Sequence, residues 1–136
     1  MGKSLIDIAK EVIQTESDSV LLLKDRIDQN FIDVCHTLKS CMGKVVLIGM
    51  GKSGHIAKKI SSTLASTGTP AFFLHPGEAG HGDLGMVSHD DVVIMISYSG
   101  ESDEIIALLP GIKRMNVPII SMTGNAKSSI CLLYTS

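Results

Sequence analysis

Short apolar runs alternate with stretches of helical spacing from Lys44 onward. Strands that alternate with helices form a parallel sheet, because each helix returns the chain to the edge of the sheet where the strands begin. The 44% apolar and 4% aromatic content supplies the aliphatic core that such a buried sheet needs. We therefore predict an α/β fold with a doubly wound, mostly parallel sheet flanked by helices. The predicted strands are Val45–Ile48, Ala71–Leu74, Val92–Ser97 and Pro118–Thr123, and the predicted helices cover residues 54–66 and 103–115.

The first 43 residues are predicted to be helical. Ser4 and Asp7 have the spacing of a capping box, and Leu5, Ile8 and Val12 then recur at helical spacing. We expect these N-terminal helices to cover a sheet face or a partner subunit. A second apolar stripe predicts a single helix ending near residue 42, and its members are Val20, Leu23, Ile27, Phe31, Val34, Leu38 and Cys41.

At 136 residues the chain has room for one compact domain. Residues 1–43 are predicted to be its N-terminal helical segment, and residues 44–130 its α/β core, which we expect to be incomplete. Residues 131–136 complete no element, so we interpret them as a non-native tail. Pro110 is expected to kink or shorten the last predicted helix, because proline removes a backbone donor and clashes with the preceding turn.

Charge and hydropathy argue against several classes of partner. The net charge of -2 and the scattered lysines and arginines provide no basic field for nucleic acid. No apolar run approaches the roughly 20 residues of a membrane span, and the first residues do not resemble a signal peptide, so we expect a cytoplasmic protein. Cys35, Cys41 and Cys131 match no zinc or redox spacing and are predicted to be free or buried thiols.

A glycine-rich segment, Gly49–Gly54, follows the first predicted strand and opens a helix. Its spacing fits a dinucleotide fingerprint, but the acid expected about 20 residues later is replaced by the region around His75. A nucleotide P-loop would need glycine at Val46, so that interpretation fails. Close approach of the backbone to a ligand remains open, beside a plain tight turn with a solvated Lys52.

A serine-rich segment, Ser97–Glu104, lies between the third strand and its helix. Hydroxyl groups, backbone amides and the positive end of a helix dipole favour a phosphate group at such a place. The plain alternative is a serine N-cap followed by acids in the first turn. Because acids also repel phosphate, at least one of them should have another role.

The loop His75–Gly85 follows the second strand and contains two histidines, two acids and four glycines. Open α/β sheets place ligands at the carboxyl ends of their strands, where this loop and the two preceding segments should converge. A histidine there can transfer protons, whereas a structural histidine would only bond to the backbone. The convergence of the three loops favours the functional interpretation.

Together, GMGKSGHIAKKISSTLASTGTPAFFLHPGEAGHGDLGMV and SYSGESDEI closely resemble the sugar isomerase (SIS) domain of the D-arabinose 5-phosphate isomerase family, over roughly residues 5–130. The most specific parts are Lys52–His55, Ser66–Pro70 and His81–Gly85. Tyr98 departs from the family, which often has Asn there. The resemblance implies a flavodoxin-like or Rossmann-like SIS fold, with further active-site residues, a glutamate and a histidine, beyond residue 130.

The resemblance further implies an aldose-ketose isomerase that interconverts D-ribulose 5-phosphate and D-arabinose 5-phosphate for Kdo synthesis in lipopolysaccharide or capsule formation. It implies a homo-oligomer, a tetramer in the full-length protein, and no required cofactor. An inhibitory divalent metal could bind His75. The predicted catalytic residues are Lys52, Glu104 and His81, and the predicted substrate-binding residues are Ser53, Gly68, Thr69, His75, His81, Ser97, Ser99 and Ser102.

Two other functions compete with the isomerase. A non-catalytic SIS module that senses a phosphosugar would use the same fold and phosphate loop. The combination of Lys52, His81 and Glu104 favours chemistry over sensing. A nucleotide-binding oxidoreductase is disfavoured by the missing ribose acid.

Overall fold

Four parallel strands form one sheet in the computed structural model, which describes residues 2–132. The predicted parallel sheet is confirmed, and every strand end falls within one residue of its predicted position. The strands are β1 (Val45–Gly49), β2 (Ala71–Leu74), β3 (Val92–Ile96) and β4 (Ile119–Met122), and their order across the sheet is β2-β1-β3-β4.

Helices connect the strands, as the alternation predicted. Helix α3 (Gly51–Ser66) joins β1 to β2, and α5 (Asp103–Arg114) joins β3 to β4. A short helix α4 (Pro76–Ala79) and a 3-10 turn (Asp83–Met86) lie between β2 and β3. After β4 comes the short helix α6 (Ser129–Leu132), which includes the first two residues of the predicted non-native tail. Residues 133–136 of that tail lie outside the described residues.

The helix α5 passes through Pro110 and continues to Arg114, so Pro110 does not shorten it, and the alternative, a kink, stays a prediction. Pro110 itself is exposed, whereas Leu109 and Ile112 on either side are buried. Packing of that apolar face stabilises the helix on both sides of the proline, which offsets the lost backbone hydrogen bond.

The two central strands carry the core. Every residue of β1 and β3 is buried. Val46 and Met95 of these strands pack in one cluster with Ile105 and Ile112 of α5. A strand covered on both faces needs an apolar side chain at each position, which explains the unbroken apolar runs in the sequence.

Within residues 2–132, the chain up to Cys35 forms one compact unit, and the chain from His36 onward forms another. The first contains α1 (Leu5–Leu21), a 3-10 helix (Leu22–Arg26) and the start of α2 (Gln29–Lys39). The Ser4 hydroxyl accepts a hydrogen bond from the Asp7 amide at 3.1 Å, which confirms the predicted start of α1. No helix within residues 2–132 is long and apolar enough to cross a membrane.

The prediction of a single helix from the second apolar stripe is wrong, because the helical structure is interrupted at Ile27 and Asp28. Ile27 is extended, with φ -76° and ψ 113°. The Asp28 carboxylate then accepts a hydrogen bond from the Asn30 amide at 2.9 Å. An aspartate just before a helix accepts a hydrogen bond from an amide that would otherwise lack a partner. Asp28, a polar residue between members of the apolar stripe, therefore starts a separate helix, α2.

Asp91 connects backbone segments at the amino-terminal edge of the sheet. Its side chain is 1% exposed, and its two carboxylate oxygens accept hydrogen bonds from the amides of Lys44 at 2.7 Å and Ser88 at 2.8 Å. Burial raises the pKa of Asp91, but the hydrogen bonds from Ser88 and Lys44 and the nearby Lys44 charge outweigh it. The pKa therefore lies below its ordinary value.

The three cysteines are free thiols, as predicted. Cys35 is exposed, and Cys41 and Cys131 are half-buried.

Candidate functional site

The loops that follow β1, β2 and β3 all leave the carboxyl-terminal edge of the sheet. The strand order reverses between β1 and β3, because β2 lies on one side of β1 while β3 and β4 lie on the other. At such a switch point the two neighbouring loops leave the sheet in opposite directions, and open α/β sheets bind ligands in the crevice between them. The glycine-rich and serine-rich segments therefore lie on the two sides of one crevice.

The glycine-rich segment brings the start of α3 against the end of β1. A Cβ atom on Gly54 would lie 2.7 Å from the Gly49 carbonyl oxygen, so the two backbones approach closely. Beside them, Lys52 is exposed and Ser53 is half-buried in the first turn of α3. The glycines thus have a packing role, and Lys52 and Ser53 follow them in the first turn of α3, at the carboxyl-terminal edge of the sheet.

The serine-rich loop on the other side is folded around Ser97, which is buried. The Ser97 hydroxyl accepts a hydrogen bond from the Gly100 amide at 3.1 Å and lies 3.1 Å from the Ser102 hydroxyl. The Ser99 hydroxyl accepts from the Glu101 amide at 3.2 Å. Ser97 therefore shapes the loop, while the exposed Ser99 and the half-buried Ser102 are better placed to meet a ligand.

Ser102 occupies the N-cap position of α5, and among the described residues its side chain makes no capping hydrogen bond. The plain alternative is therefore confirmed in position, with a serine N-cap followed by acids, but the capping hydrogen bond that would explain the serine is not made. A bound anion at this helix N-terminus would interact with the first-turn amides in place of a cap. Glu104 lies in the same first turn and is exposed.

The segment after β4 supports the serine-rich loop, a feature that sequence reasoning missed. The Tyr98 carbonyl accepts hydrogen bonds from the Gly124 amide at 3.0 Å and the Thr123 hydroxyl at 3.2 Å. The Glu101 carboxylate accepts two from Ser129, both at 2.7 Å. The hydrogen bonds from the Ser129 hydroxyl and amide hold the pKa of Glu101 below its ordinary value. The one feature of the sequence that could have indicated this contact was an acid, Glu101, inside a loop predicted to bind an anion.

Both histidines of the third loop form hydrogen bonds with the backbone of Gly77. The His75 Nδ1 atom accepts a hydrogen bond from the Gly77 amide at 3.1 Å and caps α4. The His81 Nδ1 atom lies 2.6 Å from the Gly77 carbonyl oxygen. Because a carbonyl can only accept, this contact requires a proton on Nδ1 of His81 and leaves its Nε2 atom for another partner.

His75 and His81 thus differ in what they can offer a ligand. His75 is half-buried and packs edge-to-face on Phe73, and its Nδ1 atom is occupied by the cap. His81 is exposed. Within residues 2–132, no group of three or more His, Cys, Asp or Glu side chains could hold a metal ion, so the metal role of His75 stays a prediction without support from the geometry.

Gly68 and Thr69 lie at the opposite edge of the sheet, in the turn between α3 and β2. The neighbouring Pro70 carbonyl accepts from the Val45 amide at the start of β1. The crossover helix carries the chain back to the amino-terminal edge before β2 begins. Within one chain, the structure therefore does not bring this pair to the other predicted site residues.

The chain is similar to known proteins in both sequence and structure. Residues 38–134 match the SIS domain family. The chain is 57% identical to arabinose 5-phosphate isomerase KdsD of Escherichia coli K12, over 89% of this chain and 37% of that protein. Its identity to KdsD of Pseudomonas aeruginosa PAO1 is 53%, over 92% of this chain and 38% of that protein. The chain therefore spans well under half the length of these relatives.

A solved structure, that of E. coli CFT073 c3406 in complex with arabinose 5-phosphate, matches this fold with a TM-score of 0.83 and 46% identity. The match covers 96% of this chain and 71% of that one.

Proposed function

This chain belongs to the SIS domain family, and from that premise we propose that it forms the phosphosugar site of an isomerase that interconverts D-ribulose 5-phosphate and D-arabinose 5-phosphate. One observation carries the proposal: the Lys52 turn and the serine-rich loop follow neighbouring strands at the switch point of the sheet, in a chain that is 57% identical to an arabinose 5-phosphate isomerase. The product would serve Kdo synthesis for lipopolysaccharide or capsule. We place the protein in the cytoplasm, where sugar phosphates are metabolised.

The phosphate group is held by Ser99, Ser102 and the first-turn amides of α5, with Ser53 on the other side of the crevice. The support is the helix N-terminus, which has no side-chain cap among the described residues, and the exposure of Ser99. A dianion gains from both the amides and the helix dipole. Ser97 acts indirectly, since its hydroxyl is used inside the loop.

The reaction moves one proton between C1 and C2 through an enediol. A base removes the proton from C1 of the ketose while the C2 oxygen gains one; the enediol then receives a proton at C2, and the C1 oxygen loses its own. We assign proton transfer at carbon to Glu104, with Lys52 stabilising the negative charge that develops on oxygen. The His81 Nε2 atom is available to shuttle protons between the oxygens.

The reaction needs no redox cofactor, because the electrons lost at one carbon are gained by its neighbour. A divalent ion at His75 would act as an inhibitor. It would have to bind through the Nε2 atom, since Nδ1 accepts from the Gly77 amide.

We also propose that the protein assembles with copies of itself, as a tetramer at full length. The support lies in the N-terminal unit, where α1, described over its whole length, has no buried residue. Leu5 is 85% exposed, Ile13 is 68% exposed and Val20 is 65% exposed. Apolar surface of this kind is unfavourable in water and is covered in most stable proteins.

The test is to follow D-ribulose 5-phosphate by NMR in D₂O with the full-length protein, its Lys52→Ala variant and the 136-residue chain. We expect the full-length protein to form D-arabinose 5-phosphate with deuterium at C2. Lys52→Ala should lower turnover much more than stability. Conversion without deuterium would contradict solvent-exchanging proton transfer through an enediol. Binding of the phosphosugar without conversion by the full-length protein would favour the non-catalytic sensor instead.

A further inference from the structure

Glu101 is an acid inside the loop that we assign to phosphate, and the proposed mechanism gives it no part. A carboxylate near a phosphate weakens binding by repulsion unless its charge is used elsewhere. In this structure it is used: the Ser129 amide donates to one carboxylate oxygen and the Ser129 hydroxyl to the other, both at 2.7 Å. The two oxygens are thus turned toward the start of α6.

This contact joins two loops that are 28 residues apart in sequence. The carbonyl of Gly100, next to Glu101, accepts from the Ile130 amide at 3.4 Å, which is longer than most hydrogen bonds of this kind. Hydrogen bonds to an ionised group are shorter and stronger than neutral ones. Among the described residues, the two Glu101–Ser129 bonds are the shortest hydrogen bonds between these loops.

We propose that Glu101 is a positioning residue for the phosphate loop: by binding Ser129 it holds Ser99 and Gly100 in the geometry that accepts the phosphate group. The inference rests on the proposed function. It makes Glu101 important for substrate affinity even though its negative charge opposes the ligand, and it extends the phosphate site to the segment after β4.

The two explanations predict opposite changes in phosphosugar affinity for Glu101→Ala and different changes for Glu101→Gln. If Glu101 positions the loop, Glu101→Ala removes both acceptors and weakens binding. If Glu101 contributes only its charge, Glu101→Ala and Glu101→Gln both remove repulsion and tighten binding. Glutamine retains the contact in the first case, because its carbonyl can accept from the Ser129 amide and its NH₂ group can donate to the Ser129 hydroxyl.

The experiment measures D-arabinose 5-phosphate affinity by calorimetry, and KM and kcat by the NMR assay, in the full-length protein. We expect Glu101→Ala to raise Kd and KM about tenfold with little change in kcat, and Glu101→Gln to stay within about threefold of the wild type. Ser129→Ala, which removes the hydroxyl but keeps the amide, should have an intermediate effect. In the double variant it should add little to Glu101→Ala, because both changes break one contact.

The matched control is Asp103→Asn, which removes one negative charge from the first turn of α5 at an exposed side chain. We expect no weakening of phosphosugar binding by this variant. Tighter binding in Glu101→Ala, or equal effects of Glu101→Ala and Asp103→Asn, would overturn the positioning role.

Amide hydrogen exchange separates this inference from the proposed function. Exchange at Gly100 and Ser99 should accelerate in Glu101→Ala and not in Asp103→Asn, whatever the ligand. If the wild type binds no D-arabinose 5-phosphate while exchange still responds to Glu101→Ala, the proposed function fails. If the wild type binds the sugar and neither exchange nor affinity responds, the positioning role fails.

Discussion

Gly100 and Ser128 are packed so closely that a Cβ atom on Gly100 would overlap the Ser128 hydroxyl group. Gly100 also has a φ of 69°, in the left-handed region that favours glycine. The serine-rich loop and the segment after β4 can therefore meet only if residue 100 has no side chain. This contact and the Glu101–Ser129 pair fix the loop from two neighbouring positions.

Gly100→Ala should lower the free energy of unfolding by roughly 3 kcal/mol, because it adds both a steric clash and an unfavourable φ. Urea denaturation followed by circular dichroism measures this loss. Gly85→Ala is the matched control, since a Cβ atom there would meet open space. Equal losses in the two variants would contradict the close packing of Gly100.

Ser128→Ala should leave the free energy of unfolding unchanged or raise it by up to about 1 kcal/mol. The Ser128 hydroxyl is fully buried and has no hydrogen-bond partner within residues 2–132, so alanine removes an unsatisfied polar group. Ser97→Ala, which removes the acceptor of the Gly100 amide, should instead cost about 1 kcal/mol. A larger loss in Ser128→Ala than in Ser97→Ala would show that the hydroxyl has a partner after all.

Asp91→Asn should lower the free energy of unfolding by about 2 kcal/mol at neutral pH, because the ionised carboxylate accepts two backbone hydrogen bonds. The folded-state pKa is below the unfolded value, so this stabilisation is complete above the unfolded pKa of about 3.9 and is lost as the pH falls through the folded pKa. Unfolding curves from pH 7 to pH 2 should show the wild type approaching the variant only at the acid end.

Asp90→Asn serves as the control for Asp91, because the Asp90 carboxylate is exposed and pairs with the exposed His89 at 3.4 Å. Such surface pairs contribute little to stability. A difference between wild type and Asp91→Asn that does not change with pH would rule out the carboxylate as its source.

His75→Ala should lower the free energy of unfolding by about 1 kcal/mol, whereas His75→Asn should keep most of the wild-type stability. The reason is the cap of α4, which asparagine can replace through its side-chain oxygen. Thermal unfolding gives the comparison. If His75 instead binds substrate or metal, His75→Asn will keep its stability but lose phosphosugar affinity or the inhibition by zinc.

Replacing Ser99 and Ser102 together by alanine should raise KM at least about tenfold with kcat nearly unchanged. Phosphate binding of this kind is equal in the ground and transition states, so its loss appears in KM. Ser62→Ala, on an exposed part of α3, should leave both constants unchanged. A fall in kcat at constant KM would contradict the role of the two serines in binding.

The sheet could be predicted because local sequence determines it. Each strand of the core is buried on both faces and therefore appears as an apolar run, and each intervening helix has its own periodicity. The break at Ile27 was missed because its apolar side chain continues the helical stripe, while the deciding contact is made by the polar Asp28. The helical period of residues 103–115 predicted α5 correctly, whereas the expected shortening at Pro110 did not occur because tertiary packing stabilises that helix.

The candidate site was predictable only where it follows directly from strand ends. Lys52 lies in the helix turn directly after β1, and Ser99 and His81 lie in loops after β3 and β2, all of which a parallel sheet must place at one edge. Gly68 lies at the opposite edge because helix α3 returns the chain there before β2 begins. The resemblance of the Ser66–Pro70 segment to the family does not reveal this placement. The Glu101–Ser129 contact joins residues 28 apart in sequence, and no local pattern indicates such a pair.

The central claim is that the crevice between the β1 and β3 loops binds a sugar phosphate, and an amide chemical-shift map tests it most directly. We would titrate D-arabinose 5-phosphate into the ¹⁵N-labelled 136-residue chain. The account predicts the largest shifts in Ser53, Ser99 and Ser102, and none in Lys44 or Asp91 at the opposite edge. Shifts centred on that opposite edge, or no saturable shift at all, would contradict it.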